Sequence, residues 1–190
     1  AGSPAEAQNT ASAKGKRTYV FLVHDIALKD GIPAEITEVV RGQLLRAIRA
    51  HARLSAQLPE GAPDPKSEPK KFSAFIARNK LEPYRLNVEV TQYTHGVEPS
   101  PNGGKRLTVS LALRTFGETM PVRKMAFSGE GSATIRMDVG KKLRERDSTY
   151  ARKEAAKEAI AEALTISLQR LDRRASGKKN KRGAKKKRKK

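Results

Sequence analysis

Leu107–Thr115 reads Leu-Thr-Val-Ser-Leu-Ala-Leu-Arg-Thr, with apolar residues at positions 107, 109, 111 and 113. This strict alternation predicts a half-buried β-strand, because successive side chains of a strand point to opposite faces of a sheet. The preceding segment Tyr84–Tyr93 shows the same period over positions 86, 88 and 90, and the turn-rich Pro99–Gly104 lies between the two. We therefore expect the two segments to form a long antiparallel hairpin.

The sequence before this hairpin predicts a strand and a helix, followed by a shorter strand and a shorter helix. Arg17–His24 is a continuous apolar run of strand length, which suits a strand covered on both faces. Pro33 fits a first helical position, and apolar residues then recur every three or four positions as far as His51, as in an amphipathic helix. Arg53–Leu58 predicts a short second strand, and Lys70–Leu81 a short second helix.

The chain after the hairpin predicts a third meander strand and a long helix. Thr119–Phe127 begins the strand, Gly129–Gly131 interrupts it as a bulge, and alternation resumes as far as Met137. Ser148–Leu171 is rich in Ala, Glu, Lys and Leu and has one apolar stripe, which predicts a helix with Asp147 or Ser148 as its N-cap.

Together these elements predict an α/β (α+β) fold. We expect a mixed sheet that contains a three-stranded antiparallel meander, with the two long helices packed on one face so that their apolar stripes are buried. The predicted organisation is a disordered linker over 1–17, a single α/β domain over 18–172, and a disordered polybasic tail over 173–190.

The positive charge is concentrated in the tail. The formal net charge is +20, and residues 173–190 hold twelve Lys or Arg and no acidic residue, which leaves 28 basic and 20 acidic residues, or +8, for 1–172. Such a segment attracts polyanions by counterion release and does not read sequence, since it has no aromatic side chain to stack on bases. Nucleic acid, anionic lipid, lipopolysaccharide and acidic proteins would all satisfy it, and a merely solvated tail is the alternative. The predicted polyanion-binding residues are Lys178, Lys179, Lys181, Arg182, Lys185, Lys186, Lys187, Arg188, Lys189 and Lys190.

No pattern of catalytic, cofactor-binding or metal-binding residues stands out. The chain has no cysteine, and its histidines His24, His51 and His95 lie in separate predicted elements. His24 with Asp25, at the predicted end of the first strand, is the pair closest to a site. Gly-x-Ser-x-Gly does not occur, and Gly129–Gly131 lacks the third glycine and the βαβ setting of a dinucleotide site. We therefore expect a non-enzymatic protein that uses no cofactor or metal.

The order of elements resembles a known small α/β domain. Tyr19–Ala52, the strand that begins at Tyr84, Leu107–Thr115, the segment Phe127–Ala133 and the closing helix are together similar to the domain shared by the amino-terminal domain of TolB, the curli secretion lipoprotein CsgG and the outer-membrane activators of penicillin-binding proteins. The resemblance spans about residues 18–171. It implies an envelope-associated, non-catalytic protein that docks other proteins or assembles with copies of itself. The chain departs from that pattern in its polybasic tail and its lack of a lipidation cysteine.

Two functional hypotheses follow. The first is a periplasmic or envelope-associated docking domain with an unknown envelope protein as partner, whose tail binds an anionic polymer or membrane surface. The small, polar opening segment resembles the linker that follows a cleaved signal peptide, although a trimmed chain would look the same. The alternative is a cytoplasmic protein that binds nucleic acid without sequence preference through the tail. We expect a monomer or weak homo-oligomer, with the charges of Arg123 and Lys124 protecting an edge strand at 119–127.

Overall fold

The computed structural model describes residues 18–101 and 103–187, with side chains as far as Ser176. Five strands form one mixed sheet in the order β2-β1-β3-β4-β5, in which β1 is parallel to β2 and β3, while β3, β4 and β5 form an antiparallel meander. This confirms the predicted fold class. The elements are β1 Thr18–Leu28, α1 Glu35–Ala50, β2 Leu54–Ser55, α2 Pro69–Arg78, β3 Leu81–Pro99, β4 Lys105–Thr119, β5 Met125–Val139 and α3 Glu145–Lys187.

One face of the sheet carries the main core. The alternation that predicted β4 is real, because Leu107, Val109, Leu111 and Leu113 are buried in one cluster with the apolar sides of α1 and α3. Residues of β4 between them, such as Ser110 and Arg114, lie on the other face and are partly or fully exposed. The predicted packing of both long helices on one face is confirmed.

The short helix α2 covers the other face of the sheet near β1 and β3. Val20 and Phe72 are fully buried but lie outside the main core cluster, as does the buried Pro83 of β3. The connection from β1 to β2 runs toward one edge of the sheet. The connection from β2 to β3 passes β1 and runs in the opposite direction. Right-handed crossovers in opposite directions place their helices on opposite faces, which explains why α1 and α2 are separated by the sheet. Residues 19–23 of β1 are apolar at every position because both faces of the strand are covered there.

Three sequence predictions differ from the structure in this part of the fold. First, β5 is continuous through Gly129 and Gly131, which pair in register with Thr115 and Leu113 and form no bulge. The register shift in this ladder instead lies where Gly117 and Glu118 face Phe127 and Met125. Second, the meander strand begins at Met125 and not at Thr119, so Arg123 and Lys124 lie in the preceding turn.

The third difference is at both ends of α3. The helix begins at Glu145, where Asp147 Oδ2 accepts a hydrogen bond from the Arg144 backbone N–H at 3.3 Å, a contact of the capping-box type. Asp147 therefore acts from inside the first turn, and Ser148 is buried further along the helix. At the other end, the backbone of 173–187 is helical where we expected a disordered tail. Lys, Arg and Ala are among the better helix formers and outnumber the less favourable Gly177, Asn180 and Gly183 in this stretch, so they extend a helix that tertiary packing has already nucleated.

Candidate functional site: a basic helical extension anchored to the sheet

Helix α3 lies unusually close to β5 because two glycines face it. A Cβ added at Gly131 would lie 1.9 Å from the Ala159 carbonyl oxygen, and one at Gly129 would lie 2.2 Å from that of Ala163. The facing stripe of α3 is also made of small buried residues: Ala151, Ala155, Ala156, Ala159, Ala163 and Ser167. Increasing positions along α3 meet decreasing positions along β5, so the helix runs antiparallel to the strand. This packing fixes the axis of α3 relative to the sheet.

Polar side chains of α3 also bind the outer edge of β5. Arg170 Nη1 donates a 2.7 Å hydrogen bond to the Ser128 carbonyl oxygen, and Arg174 Nη1 donates a 3.2 Å bond to that of Ala126. Glu162 Oε2 accepts a 2.9 Å hydrogen bond from the Ser132 backbone N–H. These contacts satisfy backbone groups of an edge strand that would otherwise be exposed. They attach α3 to the sheet along its outer side.

A third attachment holds α3 where it leaves the sheet. Arg53 binds Asp172 with two hydrogen bonds, Nη1 to Oδ2 at 3.0 Å and Nη2 to Oδ1 at 2.6 Å. The Tyr19 hydroxyl donates a 3.2 Å bond to Asp172 Oδ1, and the Arg53 guanidinium lies 5.1 Å from the centroid of the Tyr19 ring. We call Arg53, Asp172 and Tyr19 the clamp. The pairing is bidentate and charge-assisted, which makes it more directional than a single surface ion pair.

The clamp and the aromatic residues beside it contain side chains whose pKa values are shifted. Burial, followed by the nearby Asp172 carboxylate, raises the pKa of Tyr19. Burial also raises the pKa of Tyr84, whose hydroxyl donates a 2.9 Å hydrogen bond to Glu82 Oε2. The hydrogen bond to Asp172 raises the pKa of Arg53, so this guanidinium stays charged. Tyr84 packs edge-on against Phe127, with ring centroids 5.3 Å apart. These shifts have structural causes and point to no reaction.

Beyond the clamp, α3 continues as a basic helix. We call residues 175–187 the basic extension; at 1.5 Å per residue its thirteen residues are about 20 Å long. The structure places the backbone of seven predicted polyanion-binding residues on it: Lys178, Lys179, Lys181, Arg182, Lys185, Lys186 and Lys187. Arg188, Lys189 and Lys190 lie outside the described residues. Because the extension is continuous with α3, its charge leaves the domain along a fixed axis.

The other candidates from the sequence do not form a site. His24 lies within β1 at a register shift, is exposed, and has Nε2 3.5 Å from Arg85 Nη1, so it is not at a strand end as we expected. His95 Nε2 lies 3.3 Å from Ser148 Oγ, and His51 Nδ1 accepts a 3.1 Å hydrogen bond from the Arg53 backbone N–H. Among the described residues, no group of three His, Asp or Glu side chains is placed to hold a metal ion.

Two shallow, open grooves of about 370 Å³ each lie along the meander. One, near the distal end of the hairpin, is lined by Thr94, His95, Gly96, Glu98, Arg106, Thr108 and Arg136. Arg106 Nε lies 3.1 Å from Asp138 Oδ1. The hydrogen bond from Arg106 lowers the pKa of the Asp138 carboxyl group. The other groove is beside Glu162 and Gly131. Within the described residues, the side-chain contact of His95 in the first groove is with Ser148 and not with the lining threonines.

Helices with the length and hydropathy of a membrane span do not occur in the part of the chain that the structure describes.

Comparisons with known proteins give distant structural neighbours only. No protein-family model matches the chain, and no curated protein matches its sequence. A Xanthomonas campestris protein of the DUF330 family is similar over 86% of this chain and 89% of its own, at 8% identity and a TM-score of 0.44. A minor lipoprotein from Acinetobacter baumannii is similar over 84% of this chain and 94% of its own, at 12% identity and a TM-score of 0.38. A Chlamydia trachomatis protein is similar over 86% and 95% of the two chains, at 12% identity and a TM-score of 0.38.

Identities and scores this low carry no inference about what this chain does. The resemblance to the TolB amino-terminal domain, CsgG and the penicillin-binding-protein activators stays a prediction.

Sequence reasoning found the basic residues but not what anchors them. Arg53, Asp172 and Tyr19 lie far apart in the sequence, and only the parallel placement of β1 and β2 beside the end of α3 brings them together. The contacts of Glu162, Arg170 and Arg174 with β5 have a weak signal, since all three lie on one side of α3 at spacings of eight and four. A single sequence cannot separate that spacing from an ordinary solvated face.

Proposed function

We propose that this protein is a non-enzymatic docking protein of the cell envelope, and that its basic extension binds an anionic surface. The observation that carries the proposal is the continuity of α3, a packed helix that continues without a break to Lys187. The sequence over 178–190 contains ten basic residues and no acidic residue. The envelope setting and the docking role are supported by the resemblance in element order.

The chemistry of the extension favours a surface over a shaped ligand. Residues 175–190 contain Ala175 and Ala184 as their only apolar side chains other than glycine, so the segment has nothing to insert into a bilayer core. Each Lys or Arg near an anionic leaflet contributes about 1 kcal/mol, and the attraction falls off within a Debye length. Ten such residues are enough for a salt-sensitive attachment that needs no apolar anchor.

The anchoring contacts give the folded domain a part in this binding. Because the clamp and the edge contacts hold α3 on the sheet, a surface bound by the basic extension lies at a defined end of the domain. The grooves and the open face of the meander are then left for a protein partner. Nucleic acid is the alternative ligand, since backbone phosphates would satisfy the same charges.

The test compares two triple variants by co-sedimentation with vesicles. Lys185, Lys186 and Lys187 are changed to Gln in one variant; Lys70, Lys141 and Lys142, which are exposed on the folded domain, are changed to Gln in the control. Both lose three charges. We expect the first to lower affinity for phosphatidylglycerol-containing vesicles by about 10- to 100-fold at low salt, and the control by less than about 3-fold.

Three outcomes would contradict the proposal. Equal losses in the two variants would mean that net charge, and not the basic extension, drives binding. Equal affinity for phosphatidylcholine vesicles would mean that anionic headgroups are not recognised. Displacement from anionic vesicles by duplex DNA at equal phosphate concentration, together with recovery of the native protein from the cytoplasm, would favour the nucleic-acid alternative.

A further inference from the structure

The outer edge of β5 is covered over only part of its length. The contacts from α3 reach backbone groups of Ala126, Ser128 and Ser132, which shows that even-numbered residues of β5 point their N–H and C=O groups away from β4. Thr134, Arg136 and Asp138 continue that series. Among residues 18–176, no side chain is hydrogen-bonded to the backbone groups of these three. The distal third of β5 is therefore an open strand edge.

This open segment carries the charged side chains of Arg136 and Asp138 but none of the other features that usually protect an edge. Thr134–Val139 reads Thr-Ile-Arg-Met-Asp-Val and contains no proline, glycine or lysine. Its ladder with β4 is regular, with Ile135 opposite Val109 and Met137 opposite Leu107. Ile135, Met137 and Val139 pack against the core but remain half-buried at its margin. The segment is thus regularly paired with β4 and apolar on one face.

We propose that the open edge of β5 pairs with the same edge of a second copy of this chain, antiparallel and about a two-fold axis at Met137. In that register Met137 faces Met137 of the second copy, Ile135 faces Val139, and Arg136 faces Asp138. The two-fold axis generates the Arg136–Asp138 pair twice, so opposite charges face each other on both sides of Met137. The inference does not depend on the basic extension or on its ligand.

The backbone pattern agrees with this axis. Even-numbered residues carry the outward backbone groups, so Arg136 and Asp138 would form the hydrogen-bonded pairs, and Met137 would lie on the axis as a non-hydrogen-bonded pair. An axis at Arg136 would instead place two guanidinium groups opposite each other. An axis at Ile135 would draw in Ser132, whose N–H is already bound by Glu162. Met137 is therefore the centre that both charge and hydrogen bonding favour.

The charged pair has room for a partner. Arg136 is exposed and forms no ion pair with any residue in 18–176. Asp138 already accepts bonds from Arg106 Nε at 3.1 Å and Ser100 Oγ at 3.2 Å, yet its side chain is still 51% exposed. A carboxylate can accept about four hydrogen bonds, so a second guanidinium can be added without displacing the first.

Cysteine cross-linking tests the axis directly, because the chain contains no cysteine. Met137→Cys would face its own copy with the two Cα atoms about 4.5 Å apart, within disulfide range. Ile135→Cys is the matched control, since its copy would lie about 14 Å away along the strand, four residues at about 3.4 Å. On mild oxidation we expect a covalent dimer from the first variant and little from the second. Equal cross-linking of both, or none by Met137→Cys, would overturn the proposal.

Sedimentation equilibrium of the full chain provides the second measurement. Wild type should dimerise, and Arg136→Asp, which places two carboxylates opposite each other, should weaken association by about 10-fold or more. Arg114→Asp removes an exposed arginine of the interior strand β4, which pairs with Glu130 at 3.1 Å and lies away from the open edge, and should change association by less than about 2-fold. Adding Asp138→Arg to Arg136→Asp should recover part of the loss. A wild-type chain that stays monomeric at every concentration, or equal effects of Arg136→Asp and Arg114→Asp, would rule out this interface.

Discussion

Gly131 shows how a single missing side chain decides the position of the longest helix. The backbone of β5 can approach Ala159 and Ala163 only because neither Gly131 nor Gly129 has a Cβ. Glycine in a strand interior is otherwise unfavourable, so its presence at two alternate positions marks a close approach of another backbone. The predicted bulge was the other common explanation of such glycines, and the regular register excludes it here.

Gly131→Ala should destabilise the protein by about 2–3 kcal/mol, because its Cβ would overlap helix backbone that cannot move like a side chain. Gly42→Ala is the control: Gly42 lies on the exposed side of α1 with no atom within 4 Å of an added Cβ. That change should stabilise by about 0.5–1 kcal/mol through helix propensity. Urea unfolding of both variants measures the difference; a loss under about 0.5 kcal/mol at Gly131 would disprove the close packing.

Tyr84 should make stability fall at alkaline pH. Its pKa is raised in the folded protein by burial, so the neutral phenol is favoured there and the unfolded chain releases its proton first, near the usual value of about 10. This contribution is present below about pH 10 and is lost as the pH rises further. Across this range, the unfolding free energy of wild type should fall relative to that of Tyr84→Phe as the pH rises. Parallel curves would contradict the assignment.

At the scale of the element, α3 consists of two parts that differ in composition and in contacts. Its first part, as far as Leu171, is buried against β4, β5 and α1, and its last part carries the basic extension. The clamp lies at the boundary between them. The first part folds because it buries apolar area, whereas the extension gains only helix propensity and must depend on the first part for its nucleus.

Asp172→Asn should loosen this boundary. The amide keeps the shape of the side chain but removes the charge that Arg53 binds, and because Asp172 is half-exposed we expect a loss of about 1 kcal/mol. Hydrogen exchange should accelerate over 168–176 and in the basic extension. Glu154→Gln is the control. It removes an ion pair with Lys157, one turn further along the first part of α3, and should leave exchange over 168–176 and in the basic extension unchanged. Unchanged exchange in Asp172→Asn would mean that the clamp does not hold α3.

At the scale of the whole molecule, charge and stability should be linked through salt. A chain ending at Ser176 loses ten basic residues, which leaves 30 basic against 20 acidic residues, or +10 in place of +20. Self-repulsion should therefore be smaller in the shortened chain. We expect added salt to raise the Tm of the full chain more than that of the shortened one, with about 2–4 °C corresponding to each kcal/mol. A larger rise in Tm for the shortened chain would show that self-repulsion of the tail does not destabilise the full chain.

The parts of this fold that could be predicted are those with a period. The alternation at positions 107–113 and the three-and-four spacing of α1 and α3 gave the meander, both long helices and their shared face. The missed features depend on what a residue meets in space: the packing at Gly129, the capping contact of Asp147 and the clamp at Asp172. The basic cluster could be predicted because a run of Lys and Arg residues is recognisable from the sequence without knowing what they contact. The open edge at 134–138 was not, because an edge is defined only once strand order is known.

The unbroken course of α3 also determines how the domain would respond to tension. A pull on the basic extension acts along the helix axis, and that axis runs antiparallel to β5. The load therefore acts in shear on the contacts with Gly131, Gly129 and the strand edge, which share it all at once. A load applied along this axis through the basic extension would therefore be resisted by all of these contacts together.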